Sequence, residues 1–144
     1  MSTDTIRFLI AAVLGVHGLG HGGALGALIW LRFRPDDATG GWVAAKSWLL
    51  PSLPAATATN VASAFWIVAM IGFVATVLSV LGVLIPGEAW RGLGLGSSIV
   101  SLVGITLFFG TWPVFNTVAA IIVNIAVLVT QLWLRWPPQE TFGR

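Results

Sequence analysis

Two histidines, His17 and His21, lie four residues apart in the run Gly15-Val16-His17-Gly18-Leu19-Gly20-His21-Gly22-Gly23-Ala24-Leu25-Gly26. On a helix this spacing puts both imidazoles on one face, about 40° apart around the axis. Imidazole can ligate a metal or haem iron, relay a proton, or hydrogen-bond across to a neighbouring helix. Zinc or copper sites usually take three or four protein ligands, and this chain offers two histidines and no cysteine. Two axial haem ligands must approach from opposite faces, whereas His17 and His21 share one, so a haem would need a single ligand or a second chain. The sequence requires no cofactor, and it leaves haem, quinone or metal open as ligands of a site formed by His17, His21 and Asn124. No acid/base pair, oriented nucleophile, phosphate loop or dinucleotide fingerprint accompanies them, so catalytic residues are not assigned and an enzyme is not expected.

The elements that carry these residues follow from composition. Of 144 residues, 57% are hydrophobic and 8% charged, where a soluble domain carries about 25% charged. With a mean hydropathy of +0.94, this excludes a soluble monomer and a disordered chain. The sequence pI near 10.6 arises from scattered cations that form no basic patch, so nucleic acid is not an expected partner. Residues 8–31, 47–87 and 92–134 hold no Asp, Glu, Lys or Arg, and one crossing needs roughly 20 residues. Pro51 and Pro54 interrupt the second run, and Gly110-Thr111-Trp112-Pro113 divides the third. The expectation is an all-α, integral membrane four-helix bundle forming a single domain, with spans at 6–31, 60–85, 93–111 and 114–135.

All seven prolines fall outside these spans. The tryptophans suit an aromatic belt, with Trp90, Trp133 and Trp136 on the N-terminal side and Trp30, Trp42, Trp48, Trp66 and Trp112 towards the other. The first span is longer than a signal peptide's apolar core and reads as a retained helix. Arg7, Arg91, Arg135 and Arg144 on the N-terminal side outnumber Arg32, Arg34 and Lys46 opposite, which favours cytoplasmic termini in a bacterial cytoplasmic membrane. Between the first two spans lies an interfacial segment, 32–59, in which residues 42–50 suit either a short helix lying in the interface or an irregular loop anchored by its tryptophans. Glu88 and Arg91 form an interfacial pair or none at all.

Gly18, Gly22 and Gly26, each four residues apart, form a groove where another backbone can approach closely, whether inside the bundle or between protomers. Counting about 1.5 Å per residue, His17 lies roughly 16 Å from Ile6, close to mid-membrane, where an ionisable residue is a functional candidate by default. Thr117, Asn124 and Gln131 recur every seven residues along the fourth span, and Asn124 is again roughly 16 Å from Arg135, at the depth of His17. Thr76, Ser79, Ser101 and Thr106 lie within a turn or two of that level. They are expected to form a mid-membrane polar layer, because an unpaired polar group in hydrocarbon costs several kcal/mol.

His-Gly-Leu-Gly-His at 17–21, Phe65-Trp66, Ser98 and Ser101, Phe115-Asn116 and Asn124 together resemble small bacterial four-span membrane proteins, similar in layout to the DoxX-like group. The resemblance implies a four-helix membrane protein, and some members of that group are associated with quinone-linked redox complexes. The cysteines of redox-active members are missing here, which removes direct thiol chemistry. The sequence therefore favours a structural or accessory subunit packing through its glycine-rich first helix, in a homo-oligomer or with other membrane subunits and lipid. A membrane-embedded small-molecule site at His17 and His21 is the alternative, and transport by an oligomer the third.

Overall fold

A computed structural model describes residues 2–34, 36 and 41–142; Pro35, one of the seven prolines, and Arg144, used above in the charge count, lie outside the described residues. The described chain is all-α, with four helices long and apolar enough to cross a membrane. These are α1 (Thr3–Phe33), α2 (Ala55–Leu81), α3 (Trp90–Leu107) and α4 (Val114–Leu128), the last extended by a π-helical turn at Val129–Trp133.

Each boundary has a local cause, and several differ from the sequence limits. α1 begins at Thr3 because the Ser2 hydroxyl accepts from the Thr5 amide, and Asp4 sits in the positive first turn. Pro54, Pro86, Pro113 and Pro138 stand immediately before helical segments, where a missing N–H costs nothing. The second helix therefore starts at Ala55 instead of 60. It stops at Leu81 instead of 85, because Gly82 takes the left-handed conformation that closes a helix (φ +68°). α3 starts earlier than expected and ends at Leu107 instead of 111, ahead of Gly110, whose φ of +87° makes the turn into Pro113.

Residues 42–50 form no helix. They run irregularly over the turn between α3 and α4, where the Val43 amide donates to the Thr111 carbonyl and the Trp48 indole N–H to the Thr106 carbonyl. Bonds to other elements thus replace the intrahelical bonds a surface helix would make. At the opposite end the chain after Trp133 crosses back over the bundle. Arg91 donates to the Gln131 side chain (3.0 Å) and the Pro137 carbonyl (2.8 Å), and Trp90 packs edge-on against Phe142. Arg91 thus takes the C-terminal strap, and no Glu88–Arg91 ion pair forms.

The apolar core falls into two clusters. One, around Leu28, Ala62, Trp66, Ile105, Phe108 and Trp112, lies towards the α3–α4 turn; the other, Ala11, Val80, Trp90 and Phe142, lies under the strap. α1 packs on α2, α2 on α3 and α3 on α4, whereas α1 and α4 pack less closely. Close approach of α2 and α3 depends on two glycines. A Cβ at Gly72 would collide with the Ser97 side chain, and one at Gly104 would lie 2.8 Å from Trp66 and 2.9 Å from Phe65. Because backbone and large rings cannot yield cheaply, Gly104→Ala is expected to destabilise the bundle by about 1–3 kcal/mol. Gly92→Ala, which meets no neighbour within 4 Å, is the matched control in thermal unfolding.

Candidate functional site

The site assembles where three helices meet α1. Gly18 and Gly22 leave room for α2: a Cβ at either would lie 3.0 Å from Phe73 or from the Met70 sulfur. That closeness brings Phe73 beside both imidazoles, 4.6 Å from His17 edge-on and 5.9 Å from His21 in a parallel stack. The two imidazole rings meet edge to face at 4.9 Å. Gly26 has no neighbour within 4 Å and takes no part in this packing.

Four side chains from three helices form one hydrogen-bonded chain. His17 Nε2 lies 3.2 Å from Asn124 Oδ1, Asn124 Nδ2 donates to Ser101 Oγ at 2.7 Å, and Ser101 Oγ lies 3.0 Å from His21 Nε2. An amide oxygen only accepts, so His17 carries its proton on Nε2 and presents Nδ1 as a bare acceptor. Ser101 accepts from Asn124, and giving its own proton to His21 Nε2 would satisfy both groups and put the His21 proton on Nδ1. That Nδ1 is buried with no partner, in a residue only 1% exposed. The indole N–H groups of Trp66 and Trp112 are likewise buried and unpartnered. Both rings stand close to His21, at 5.6 and 5.7 Å, and 4.5 Å from one another.

Beside this cluster, in the gap between α1 and α4, is a cavity of about 540 Å³ lined by His17, His21, Trp42, Trp112, Phe115 and Asn116. Val16 and Phe115, on its rim, are 73% and 82% exposed, so the cavity reaches the outer surface of the bundle. Among the described residues no charged side chain lines it.

The remaining polar residues do not join one layer. Thr76 and Thr117 each donate to the carbonyl four residues back in their own helix, at 2.7 and 3.2 Å. Ser79 donates to the Pro86 carbonyl in the α2–α3 turn, Gln131 bonds Arg91 and the strap, and Thr106 is exposed. The tryptophans also divide: Trp30, Trp48, Trp133 and Trp136 are exposed, as an aromatic belt requires, whereas Trp66, Trp90 and Trp112 are buried. Trp66, Trp112 and Phe73 are site residues that the sequence reading assigned elsewhere or passed over. The available signal was the place of Trp66, well inside an apolar span.

Among the described residues no group of three or more His, Cys, Asp or Glu comes together, and both Nε2 atoms are already engaged. What the arrangement can do is accept and donate hydrogen bonds at the aromatic wall of a mostly apolar cavity. Comparisons with family models, curated proteins and solved structures find no match to this chain.

Proposed function

We propose that this chain is a non-enzymatic multi-pass membrane protein that holds a small, planar, uncharged molecule of the quinone type against His17 and His21. The observation that carries this reading is a cavity of about 540 Å³ walled by the rings of His17, His21, Trp112 and Phe115, with the unpartnered His21 Nδ1 buried behind that wall. A buried polar atom left unpaired costs about 1–3 kcal/mol, and a small turn of the imidazole that brought Nδ1 to a polar atom of a ligand would relieve that cost. Flat rings suit walls made of imidazole, indole and phenyl groups. In the sequence Arg7, Arg91, Arg135 and Arg144 on the N-terminal side outnumber Arg32, Arg34 and Lys46 opposite by four to three, which favours cytoplasmic termini in a bacterial inner membrane.

The test is titration of the protein in lipid nanodiscs with menadione, followed by quenching of tryptophan fluorescence. Saturable quenching is expected, and His21→Phe, which keeps a ring but removes the donor, should weaken binding about 3- to 10-fold for the loss of one hydrogen bond. Quenching that does not saturate, or a His21→Phe protein that binds as tightly as the parent, would overturn the reading.

A second role, as an accessory subunit, is favoured by Gly23 and Gly26, which are exposed on α1 and have no neighbour within 4 Å. Such positions let another helix, of a second copy or of a different membrane subunit, approach closely. Gly26→Leu would then lower the oligomeric fraction or the recovery of partners from native membranes, and an unchanged assembly would count against this role.

A further inference from the structure

A second cavity, of about 290 Å³, lies between α1 and α4 nearer the C-terminal strap, and Val13 and Val123 line both cavities. The two spaces are thus neighbours along one cleft, at the seam where α1 and α4 pack less closely than the other neighbouring helices. Their walls differ in kind. In the second cavity Thr76, Thr130, Gln131 and Trp90 all spend their side-chain donors inside the protein, on the carbonyls of Gly72, Ala126, Trp136 and Gln139. Its remaining wall is mainly aliphatic, with Leu9, Ile10, Leu14 and Val127. The first cavity is instead walled by the rings of His17, His21, Trp42, Trp112 and Phe115, and the unpartnered His21 Nδ1 and Trp112 indole N–H are buried behind that wall.

We propose that the whole α1–α4 cleft takes one amphipathic lipophile, with an uncharged planar head at His17, His21 and Trp112 and a single apolar chain running past Val13 and Val123 into the second cavity. This rests on the ligand-binding reading above and extends it to the ligand's chain. Among the described residues no charged side chain lines either cavity, so a carboxylate or phosphate head would be stripped of water with no described cation to meet it, which is costly. A neutral head is the one the site can accept. The stretch from Ile10 to His17 rises about 10 Å along α1, which a medium-length alkyl chain spans. The strap at Trp136 and Pro137 closes the far end of the second cavity, so the chain lies along the bundle with the open seam as its route in from the bilayer.

The experiment uses the full chain in nanodiscs and a naphthoquinone carrying a decyl chain that ends in a photoreactive diazirine. After irradiation, labelled positions are read by peptide mass spectrometry, with and without an excess of the same decyl naphthoquinone lacking the diazirine. Labelling that concentrates on Leu9, Ile10 and Val127 and is competed away is the expected result. Ala126→Phe, which fills part of the second cavity and does not line the first, should reduce those labels several-fold while leaving menadione quenching unchanged. If menadione binds but the labels scatter over outward residues such as Leu19, Ile29 and Ile71, the chain has no place in the cleft and this inference alone falls. If menadione itself fails to bind, both readings fall together.

Discussion

Trp66→Ala is expected to lower the unfolding free energy by about 3–5 kcal/mol, the range for removing a large buried aromatic ring. Trp66 is 1% exposed and lies in the larger apolar cluster. Its ring stacks on His21 at 5.6 Å and meets Trp112 at 4.5 Å, while Gly104 of α3 presses on its edge. Removing it opens space on three sides at once, and backbones already held at glycine contacts have little further distance to collapse. Trp66→Phe keeps much of that area and should lose clearly less. Trp133, 84% exposed, gives the comparison: its replacement by alanine should change stability by at most about 0.5 kcal/mol. Thermal or denaturant unfolding in a single detergent, followed by circular dichroism, separates these outcomes. Equal losses at positions 66 and 133 would mean that Trp66 is not the centre of the packing described here. Because Trp66 also backs His21, the alanine variant should lose menadione quenching as well.

The contrast between these two tryptophans shows what hydropathy can and cannot specify. Charge-free runs and prolines locate four crossings, because the cost of burying a charge and of losing a backbone hydrogen bond applies whatever the neighbours are. Tryptophan is different. Its large ring is equally suited to a headgroup belt and to an apolar core, and only the neighbours decide; Trp30 and Trp133 are exposed, whereas Trp66 and Trp112 are in the core with their N–H groups unpartnered. The same holds for irregular segments. Residues 42–50 carry a pattern compatible with an interfacial helix, yet bonds from Val43 and Trp48 to the α3–α4 end leave them extended across it. The strap and the π-helical turn depend on Arg91 meeting Gln131 and Pro137, a pairing that links residues 40 or more positions apart and has no local signature.

Depth counting, by contrast, placed His17 and Asn124 at one level from 1.5 Å per residue alone, because two straight helices in one bilayer share a ruler. It could not foresee that Ser101 would stand between Asn124 and His21, or that Thr76 and Thr117 would turn back on their own helices. A threonine in a helix always has its own carbonyl four residues back as a partner. Asparagine and histidine, with longer and more directional groups, reach other helices.

Asn124→Leu should therefore cost more than any other change in the polar chain. Asn124 is fully buried and makes two interhelical bonds, one on each side of its amide. Such bonds in membranes average about 0.6 kcal/mol and reach about 1.7, so losing both is expected to cost about 1–3 kcal/mol. Leucine fills a similar volume, so little of the loss comes from packing. It leaves His17 Nε2–H facing an aliphatic group and Ser101 with only His21. His17→Gln, which retains both a donor and an acceptor, should keep most of the stability but lose the imidazole that the ligand site requires, separating a packing role from a binding one. The decisive comparison is a double-mutant cycle. If His17 and Asn124 truly pair, His17→Leu adds less to an Asn124→Leu background than to the parent, because the donor it removes has already lost its acceptor. Strict additivity of the two changes in thermal unfolding would show that the 3.2 Å contact contributes nothing, and the hydrogen-bonded chain would then begin at Asn124 instead of His17.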